Sequence, residues 1–498
     1  MTDPNPTDIE TLFTPPLQVA ETHVSRIFLT GDRAWKLKKA LTLPYLDFAT
    51  LQQRRIACDR EVELNRRTAP ELYLGCRAVY RNGDGQLGFT PRGEPVEWLI
   101  EMRRFPSDAT FDHLAAAGKL DAKLIETLAD TIAAFHAKAE MVDAGATDTV
   151  TRTLAFNDAA FARRAPDCLT DAELTTFRTV LQAEFERQRP LLARRNAAGR
   201  MRHGHGDLHL RNIALIDGRP VLFDCLEFDD GLAEIDTLYD FAFLLMDLLH
   251  HGCTDLANRA LNRYLEASGD YEGLPLLPLY VALRAAIRCH IAAMTLAESD
   301  AARRYLALAQ AALQSDGARL VAVGGYSGTG KSTVARDLAA GLVGYPWGAV
   351  LLRSDVLRKQ LQGRALTERL PQDSYTAEAS RQTYAALLEA ADRLLRSGSS
   401  VVLDAVFGRP DERMAAAAVA KSCGVTFSGL WLEASREVLV RRVDARQGDA
   451  SDATAAVVHW QLEHLQSPSE VEHGWNAVDA AGDRTATLAR ARAALPAS

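Results

Sequence analysis

The stretch from Gly325 to Ser332 reads GYSGTGKS, which fits G-x-x-x-x-G-K-[ST], and its flanks constrain the fold more than any other feature of the chain. Before it runs RLVAVGG, a short apolar and β-branched segment that reads as a buried strand. After it runs TVARDLAAGLV, with apolar residues at helical spacing. A strand, a glycine-rich turn and a helix in that order read as a P-loop. Gly325, Ser327, Gly328, Thr329, Gly330 and Thr333 would bring the backbone up to phosphate oxygens. Lys331 would reach the outer phosphates and Ser332 would ligate magnesium. The alternative is a plain glycine-rich turn. The expected ligand is a nucleoside triphosphate.

A chain of 498 residues is too long for a single core. The P-loop divides it, with a helix end and turn at residues 311–319 as the junction. The expected organisation is an N-terminal arm over residues 1–18, a first domain over 19–314 and an α/β P-loop domain with a parallel sheet over 319–498. Hydrophobic residues make up 47% and charged residues 24%, as in ordinary globular proteins. The net charge of −8 disfavours a general nucleic-acid or anionic-membrane binder, while a local basic groove stays open. The 7 cysteines stand singly, without metal or redox spacing, and read as reduced thiols. No window reads as a membrane span and MTDPNPTDIETLF does not read as a signal peptide, so a cytoplasmic location is expected.

In the first domain, SRIFLT and RAWKLKKA read as two strands of a hairpin joined at Gly31-Asp32. Lys36 and Lys38 share one face of the second strand. Either that face has a chemical use for cations or the lysines defend a sheet edge. LQQRRIACDREVELNRR then reads as a helix carrying Glu61 and Glu63, and LGCRAVYR, QLGFTP and PVEWLIEMRRF as further strands. Beyond Phe105 the pattern is mainly helical, and His136, alone on its helix, reads as a packed core residue.

Residues 201–230 form the second chemical centre: a loop, His205 to Asn212, then a hairpin turning at Asp217-Gly218, then an acidic loop. His203, His205 and His209 invite a metal reading. A carboxylate and an amide fit another pattern better, H-x-D-x-x-x-x-N from His205 to Asn212, with Asp224 closing the hairpin.

That pattern resembles the catalytic loop of the kinase-like phosphotransferases, in the aminoglycoside phosphotransferase and choline kinase branch. The resemblance covers about residues 20–314 and implies an α+β bilobal fold, with a small lobe over about 19–104 and a helical lobe over about 105–314. By position, Asp207 would be the base, Asn212 and Asp224 the magnesium ligands, and His205 a residue holding the loop. Lys36, in A-x-K, would contact the nucleotide phosphates, with Glu61 as its helix partner and Glu63 as the fallback. Glu97 to Met102 would be the hinge beside adenine, and Asp240 would brace the loop. Two features depart from the pattern: Cys225-Leu226 stand where Phe-Gly is common, and no G-x-G-x-x-G lies between the first strands. Downstream, Glu227, Asp229, Asp230, Glu234, Asp236, Asp240 and Asp247 would suit a cationic or polyhydroxylated acceptor, or else cap helices and face water. Arg284 and Arg288 would pair with those acids or meet a substrate phosphate.

In the second half, GAVLLRSDVLRK reads as a strand ending at Arg353-Ser354-Asp355. Ligands gather at the carboxyl ends of strands in such sheets, so Asp355 is placed to orient an acceptor hydroxyl, with Arg353 and Arg358 nearby. VVLDAVF puts Asp404 at a Walker-B-like position, a magnesium role or a strand-end cap. Arg441, Arg442 and Arg446 would close over the transferring phosphoryl as a lid, or pair with Asp444 and Asp449. This half resembles small-molecule P-loop kinases of the gluconate kinase, chloramphenicol phosphotransferase and zeta-toxin kind. The whole chain resembles bacterial fusions of an aminoglycoside-phosphotransferase-like domain to a P-loop kinase or AAA-type ATPase.

The resemblance implies two magnesium-dependent sites using ATP or GTP, acting on hydroxyls of small molecules. A nucleotide-sensing switch and a toxin-like kinase of nucleotide sugars are the alternatives. Neither nucleic acid nor membrane is an expected partner. Acceptor identity, nucleotide preference and oligomeric state are written in none of these patterns.

Overall fold

Strand-forming residues in the first hundred positions assemble an antiparallel sheet of β1 (Gln18–Glu21), β2 (Ser25–Thr30), β3 (Arg33–Lys38), β6 (Tyr73–Arg81), β7 (Leu87–Gly88) and β8 (Pro95–Arg103), ordered β1-β2-β3-β8-β6-β7. The short ladder of β4 (Thr42–Leu43) and β5 (Leu46–Asp47) precedes the helix Leu51–Asn65. This computed structural model describes residues 6–13, 17–43, 46–165, 168–445, 453–469, 472 and 474–496. The β2–β3 hairpin closes at Gly31 with Thr30 opposite Arg33, as the sequence pattern implies. β3 pairs with β2 on one side and β8 on the other, so it is an interior strand. Defence of a sheet edge therefore does not explain its lysines. Ala34 packs with Cys58 and Val62 of the helix, and side chains alternate along a strand, so Lys36 and Lys38 face that helix too.

Two expectations for this sheet change. Ile9, within the supposed arm, is fully buried against Phe28, Leu37 and Leu99. An apolar side chain on that face gains more from burial than the short segment loses in entropy. Glu97 to Met102, expected as a hinge, lies inside β8, with β3 and β6 on its two sides. Those backbone groups serve the sheet, and the chain leaves it only after Arg103.

The chain divides into two compact units, Met1–Leu154 with Leu192–Asp247, and Ala155–Leu191 with Leu248–Ser498. The first contains the sheet above and a set of helices. It also holds two small ladders, β9 (Met201–His203) with β12 (Glu234–Asp236), and β10 (Ile213–Ile216) with β11 (Arg219–Leu222). The β10–β11 hairpin turns at Asp217 and Gly218, both with positive φ.

The second unit is built on a parallel sheet of β13 (Arg319–Gly325), β14 (Val350–Arg353), β15 (Val401–Asp404), β16 (Thr426–Glu433) and β17 (Trp475–Asp479), ordered β14-β15-β13-β16-β17. Its strands are buried and apolar, as expected of a parallel sheet covered by helices. β17, a short WNAVD run without alternation, escaped the sequence reading. This unit also contains helices from before residue 314, because an outer strand needs partners for its free edge. The helix Thr254–Ser268 supplies them with amide side chains. Asn258 Nδ2 donates to the carbonyls of Trp347 (2.7 Å) and Ala349 (2.9 Å), and Asn262 Oδ1 accepts from Leu351 N–H at 2.7 Å. Leu274–Ala292 is long and apolar enough to cross a membrane, which the sequence reading did not register, but 78% of it is buried inside the protein as a core helix.

Asn262→Leu keeps the bulk and removes the amide. Leaving Leu351 N–H without its amide acceptor should cost about 2 kcal/mol, while Asn258 still serves the Ala349 carbonyl. Calorimetry should show the melting transition of this unit at lower temperature; an unchanged transition would mean the amide is dispensable.

Candidate functional site

In the first unit, Glu61 is the organising group. Its helix begins with a capping box in which Thr50 and Gln53 satisfy each other's backbone donors. Glu61 falls on the helix face turned to β3 and is fully buried. Its Oε1 accepts from Lys36 Nζ at 2.8 Å and its Oε2 from Lys38 Nζ at 2.7 Å. Lys36 Nζ also donates to Asp224 Oδ1 at 2.6 Å, and Lys38 Nζ to Glu227. Burial works to raise the Glu61 pKa, but the two ammonium groups outweigh it and hold the carboxyl at about 2. Burial likewise opposes the Lys36 charge, and Asp224 and Glu61 together hold it well above the ordinary lysine range. Glu227 goes the other way: burial raises its pKa against the pull of Lys38. Glu63, the fallback, is 71% exposed and sits 3.5 Å from Arg60.

The same helix anchors the residues around Asp224. Asn65, in its last turn, accepts from Cys225 N–H at 3.0 Å, and the Tyr73 hydroxyl accepts from Asp224 N–H at 3.2 Å. Asp224 sits at φ +59, a left-handed conformation that aspartate tolerates better than most residues, and its side chain is 41% exposed. Lys36 therefore bridges the sheet and the post-hairpin carboxylate.

Asp240 shapes the loop from His205 to Asn212. Fully buried, it accepts from His205 N–H (2.6 Å) and Gly206 N–H (3.0 Å), and lies 3.2 Å from His136 Nε2. His136 thus packs in the core but is tied to the loop's brace. His205 Nε2 lies 3.0 Å from the Phe223 carbonyl, and burial lowers its pKa, so the ring is neutral and structural. Arg67 reaches the carbonyls of His203 and Gly204. Asn212 Nδ2 donates to Asp207 Oδ2 at 2.9 Å, and His209 Nε2 lies 3.3 Å from the same oxygen. The three histidines are thus dispersed among different partners. Asp207 bonds Asn212, Lys36 bonds both Glu61 and Asp224, and the Phe223 N–H beside Asp224 donates to the Asn212 carbonyl at 3.0 Å, so the five residues lie in one unit along one chain of hydrogen bonds. Its donors are carboxylate and amide oxygens, the hard ligands that suit magnesium. With its nitrogen spent on Asp207, Asn212 has its amide oxygen left as the ligand atom.

Six of the seven downstream acids are engaged by donors of the protein. Glu227 holds Lys38, Asp229 caps the turn at Gly231, and Asp230 pairs with Arg60 at 2.8 Å. Asp236 pairs with Arg195, Asp240 braces the loop, and Asp247 accepts from Leu210 N–H. A carboxylate withdrawn from water is stable where a nearby donor satisfies it, as at Asp236, Asp240 and Asp247, whereas Asp230 is 58% exposed.

In the second unit, the P-loop has the backbone its glycines predict. Gly325, Gly328 and Gly330 have φ of +134°, +89° and +89°. A Cβ on Gly328 would stand 2.5 Å from the Leu439 carbonyl oxygen, so no other residue fits there without displacement. The helix Lys331–Ala339 starts with Lys331, Ser332 and Thr333, and Lys331 Nζ donates to Tyr326 O at 3.1 Å. The Thr329 hydroxyl donates to that same carbonyl, and Ser327 N–H donates to Gln461 Oε1 at 2.8 Å. Asp404 stands level with Val323 of β13 and with Arg353 of β14, at the carboxyl ends of the strands. Asp355 lies in the first turn of the helix Ser354–Leu361, at the end of β14.

With both geometries in view, two family matches describe the chain. The family described as phosphotransferase enzyme family matches residues 56–278, and the family described as AAA domain matches residues 320–468. An uncharacterized protein of Mycobacterium tuberculosis is 32% identical over 490 residues, covering 96% of this chain and 95% of its own length. The chain belongs to its family. A protein of Mycobacterium bovis matches to the same extent. The family joins a kinase-like phosphotransferase domain to a P-loop kinase-type domain, and the chain is a phosphotransferase fusion of that kind. Among solved structures, a sugar kinase of Janibacter sp. aligns at 20% identity with a TM-score of 0.29, over 36% of this chain and 94% of that one. A choline/ethanolamine kinase family protein of Mesorhizobium loti aligns at 11% identity with a TM-score of 0.32, over 61% of this chain and 90% of that one.

The expected arginine lid is where the geometry departs from the sequence reading. Arg442, on the helix Arg436–Asp444, donates to the carbonyls of Ala480 (2.9 Å) and Gly482 (2.8 Å), just past the end of β17. Arg446 and Asp449 lie outside the described residues. Arg353 is 3% exposed and paired with Asp404, and Arg358 is spent on the Ser374 carbonyl and the face of Tyr375. Sequence reasoning missed the partners of Lys38, the hold of Gln461 on the P-loop and the ion pair of Glu266 with Arg353 at 3.4 Å. Lys38 itself was visible as a second cation on a strand face; the other two carried no local signal.

Glu61→Gln should cost about 3–5 kcal/mol at neutral pH, since two buried lysines then share one fewer carboxylate. Glu61 binds its proton more weakly folded than unfolded. Its contribution is therefore whole above pH 4.5 and lost as the pH falls toward about 2. Denaturation across that range should show wild type and variant converging at acid pH; a constant gap would contradict the assignment.

Proposed function

We propose that the chain is a bifunctional phosphotransferase with two separate nucleotide sites, each using ATP or GTP with magnesium and each acting on a hydroxyl of a small molecule. The observation that carries this reading is the joint placement of Asp207, Asn212, Asp224, Lys36 and Glu61 in one unit, beside an intact P-loop in the other. In the first site Asp207 takes the acceptor's proton as its oxygen bonds to the γ-phosphorus and the bond from that phosphorus to the β-phosphate bridge breaks. Lys36, held by Glu61, steadies the phosphates. Asn212 and Asp224 would hold the magnesium, which supplies neutralisation of phosphate charge.

In the second site the backbone from Gly325 to Thr333 cradles phosphates and Lys331 stabilises the transferring group. Ser332 and Asp404 would hold the magnesium, and Asp355 orients the acceptor. With the acidic loop engaged in protein contacts, support for a cationic acceptor weakens. The acceptor class is a sugar, aminoglycoside or amino alcohol, recognised through its hydroxyls. The reading places the protein in the cytoplasm with small-molecule partners and no nucleic acid or membrane.

Transfer from γ-labelled ATP and GTP to a pooled set of such acceptors, and to nucleotide sugars, tests this. Asp207→Asn should lower one labelled product about 100-fold or more, the size of a general-base contribution, and leave the other. Lys331→Ala should do the reverse. If no acceptor is labelled and only slow Lys331-dependent hydrolysis appears, the chain is a nucleotide-sensing ATPase and the reading fails.

A further inference from the structure

Four side chains of alternating charge run through the second unit to the P-loop sheet. Arg263 NH1 lies 3.4 Å from Glu266 Oε2, Arg353 NH1 lies 3.4 Å from Glu266 Oε1, and Arg353 Nε lies 3.1 Å from Asp404 Oδ2. The last three are nearly free of solvent, with side chains 3–5% exposed. Glu266 comes from the helix Thr254–Ser268, inside the stretch matched by the phosphotransferase family, whereas Arg353 and Asp404 end neighbouring strands of the P-loop sheet.

The helix is firmly registered on that sheet. Asn258 and Asn262 bond the edge of β14, Arg259 lies 3.2 Å from Asp337 of the P-loop helix, and the Glu266 carbonyl accepts from Gln360 Nε2 at 2.9 Å. Glu266 is thus held where it meets Arg353. A buried guanidinium between two carboxylates must divide its donors. Here Nε goes to Asp404 and NH1 to Glu266. Without the Glu266 charge, NH1 is released and the planar fork could turn it, beside Nε, on Asp404 and compete with any cation for it.

We propose that Glu266 is a positioning residue of the P-loop site: by sharing Arg353 it keeps Asp404 available to the magnesium that accompanies nucleotide. This rests on the P-loop reading above and extends it, because a residue of the phosphotransferase-matched stretch then sets the metal requirement of the other half. The fusion is functional at the level of a single ion-pair chain.

The test uses the full chain and ADP as probe. Calorimetric titration with and without Mg²⁺ isolates the binding that Lys331→Ala abolishes. Glu266→Gln should raise the half-saturating Mg²⁺ for that component about tenfold, the usual effect of removing an outer partner of a metal ligand, with Mg²⁺-free ADP binding unchanged. Glu266→Asp, which retains the charge, should stay close to wild type. Asn258→Ala, which loosens the same helix without touching the charges, should lower the melting temperature and leave the Mg²⁺ requirement alone. An unaltered Mg²⁺ requirement in Glu266→Gln overturns the proposal, as does an equal rise in Asn258→Ala, which would assign the effect to packing. Absence of any Lys331-dependent ADP binding in the wild type would instead overturn the P-loop reading itself.

Discussion

A carboxylate withdrawn from water must find cations, and the structure of the first unit follows from how Glu61 does so. An isolated buried carboxylate costs several kcal/mol, so Glu61 takes two lysines from one strand. That requirement sets which face of β3 meets the helix and how far along the strand the helix sits. Lys36 carries the connection on to Asp224, and Lys38 to Glu227. One buried acid thereby ties together the sheet, the helix and the segment after the β10–β11 hairpin. Any phosphate arriving here would meet a lysine already divided between two acids, so binding would redistribute an existing network.

The second unit answers the same constraint differently. Its buried acids, Glu266 and Asp404, share one arginine, and its buried sheet edge is satisfied by two asparagines from an upstream helix. Both solutions draw on the stretch matched by the phosphotransferase family. The P-loop sheet therefore does not end where its family match begins. That is a physical reason for the two halves to persist as one chain.

What could be read from sequence was chemistry carried on short, fixed spacings. The P-loop, the His205 to Asn212 loop and the β2–β3 and β10–β11 hairpins all place cooperating residues within a few positions, where backbone geometry fixes their relation. Lys36 and Glu61 were read together because a known pattern names them. Long-range pairings were illegible. Glu227 meets Lys38 across 189 positions, Gln461 meets Ser327 across 134, and Glu266 meets Arg353 across 87. The arginines misled for a related reason: a long side chain with five donors reaches many partners. Arg442 settles on two carbonyls of the loop after β17 in place of a phosphate. The acidic loop stayed open between two readings because density of charge in sequence says nothing of which residue each acid will satisfy.

The sequence alone determined the two folds and the order of the domains, and it marked the residues proposed to handle phosphate, since these depend on local periodicity and on side-chain types at set intervals. Tertiary structure alone decided which charges neutralise which. It placed Lys38 in the core, bonded Arg442 to two carbonyls past β17, seated Ile9 against the first sheet and gave Asp404 a partner chain reaching Glu266. Charge pairing depends on distances between elements far apart in the chain. Those distances come into being only when the apolar faces have packed.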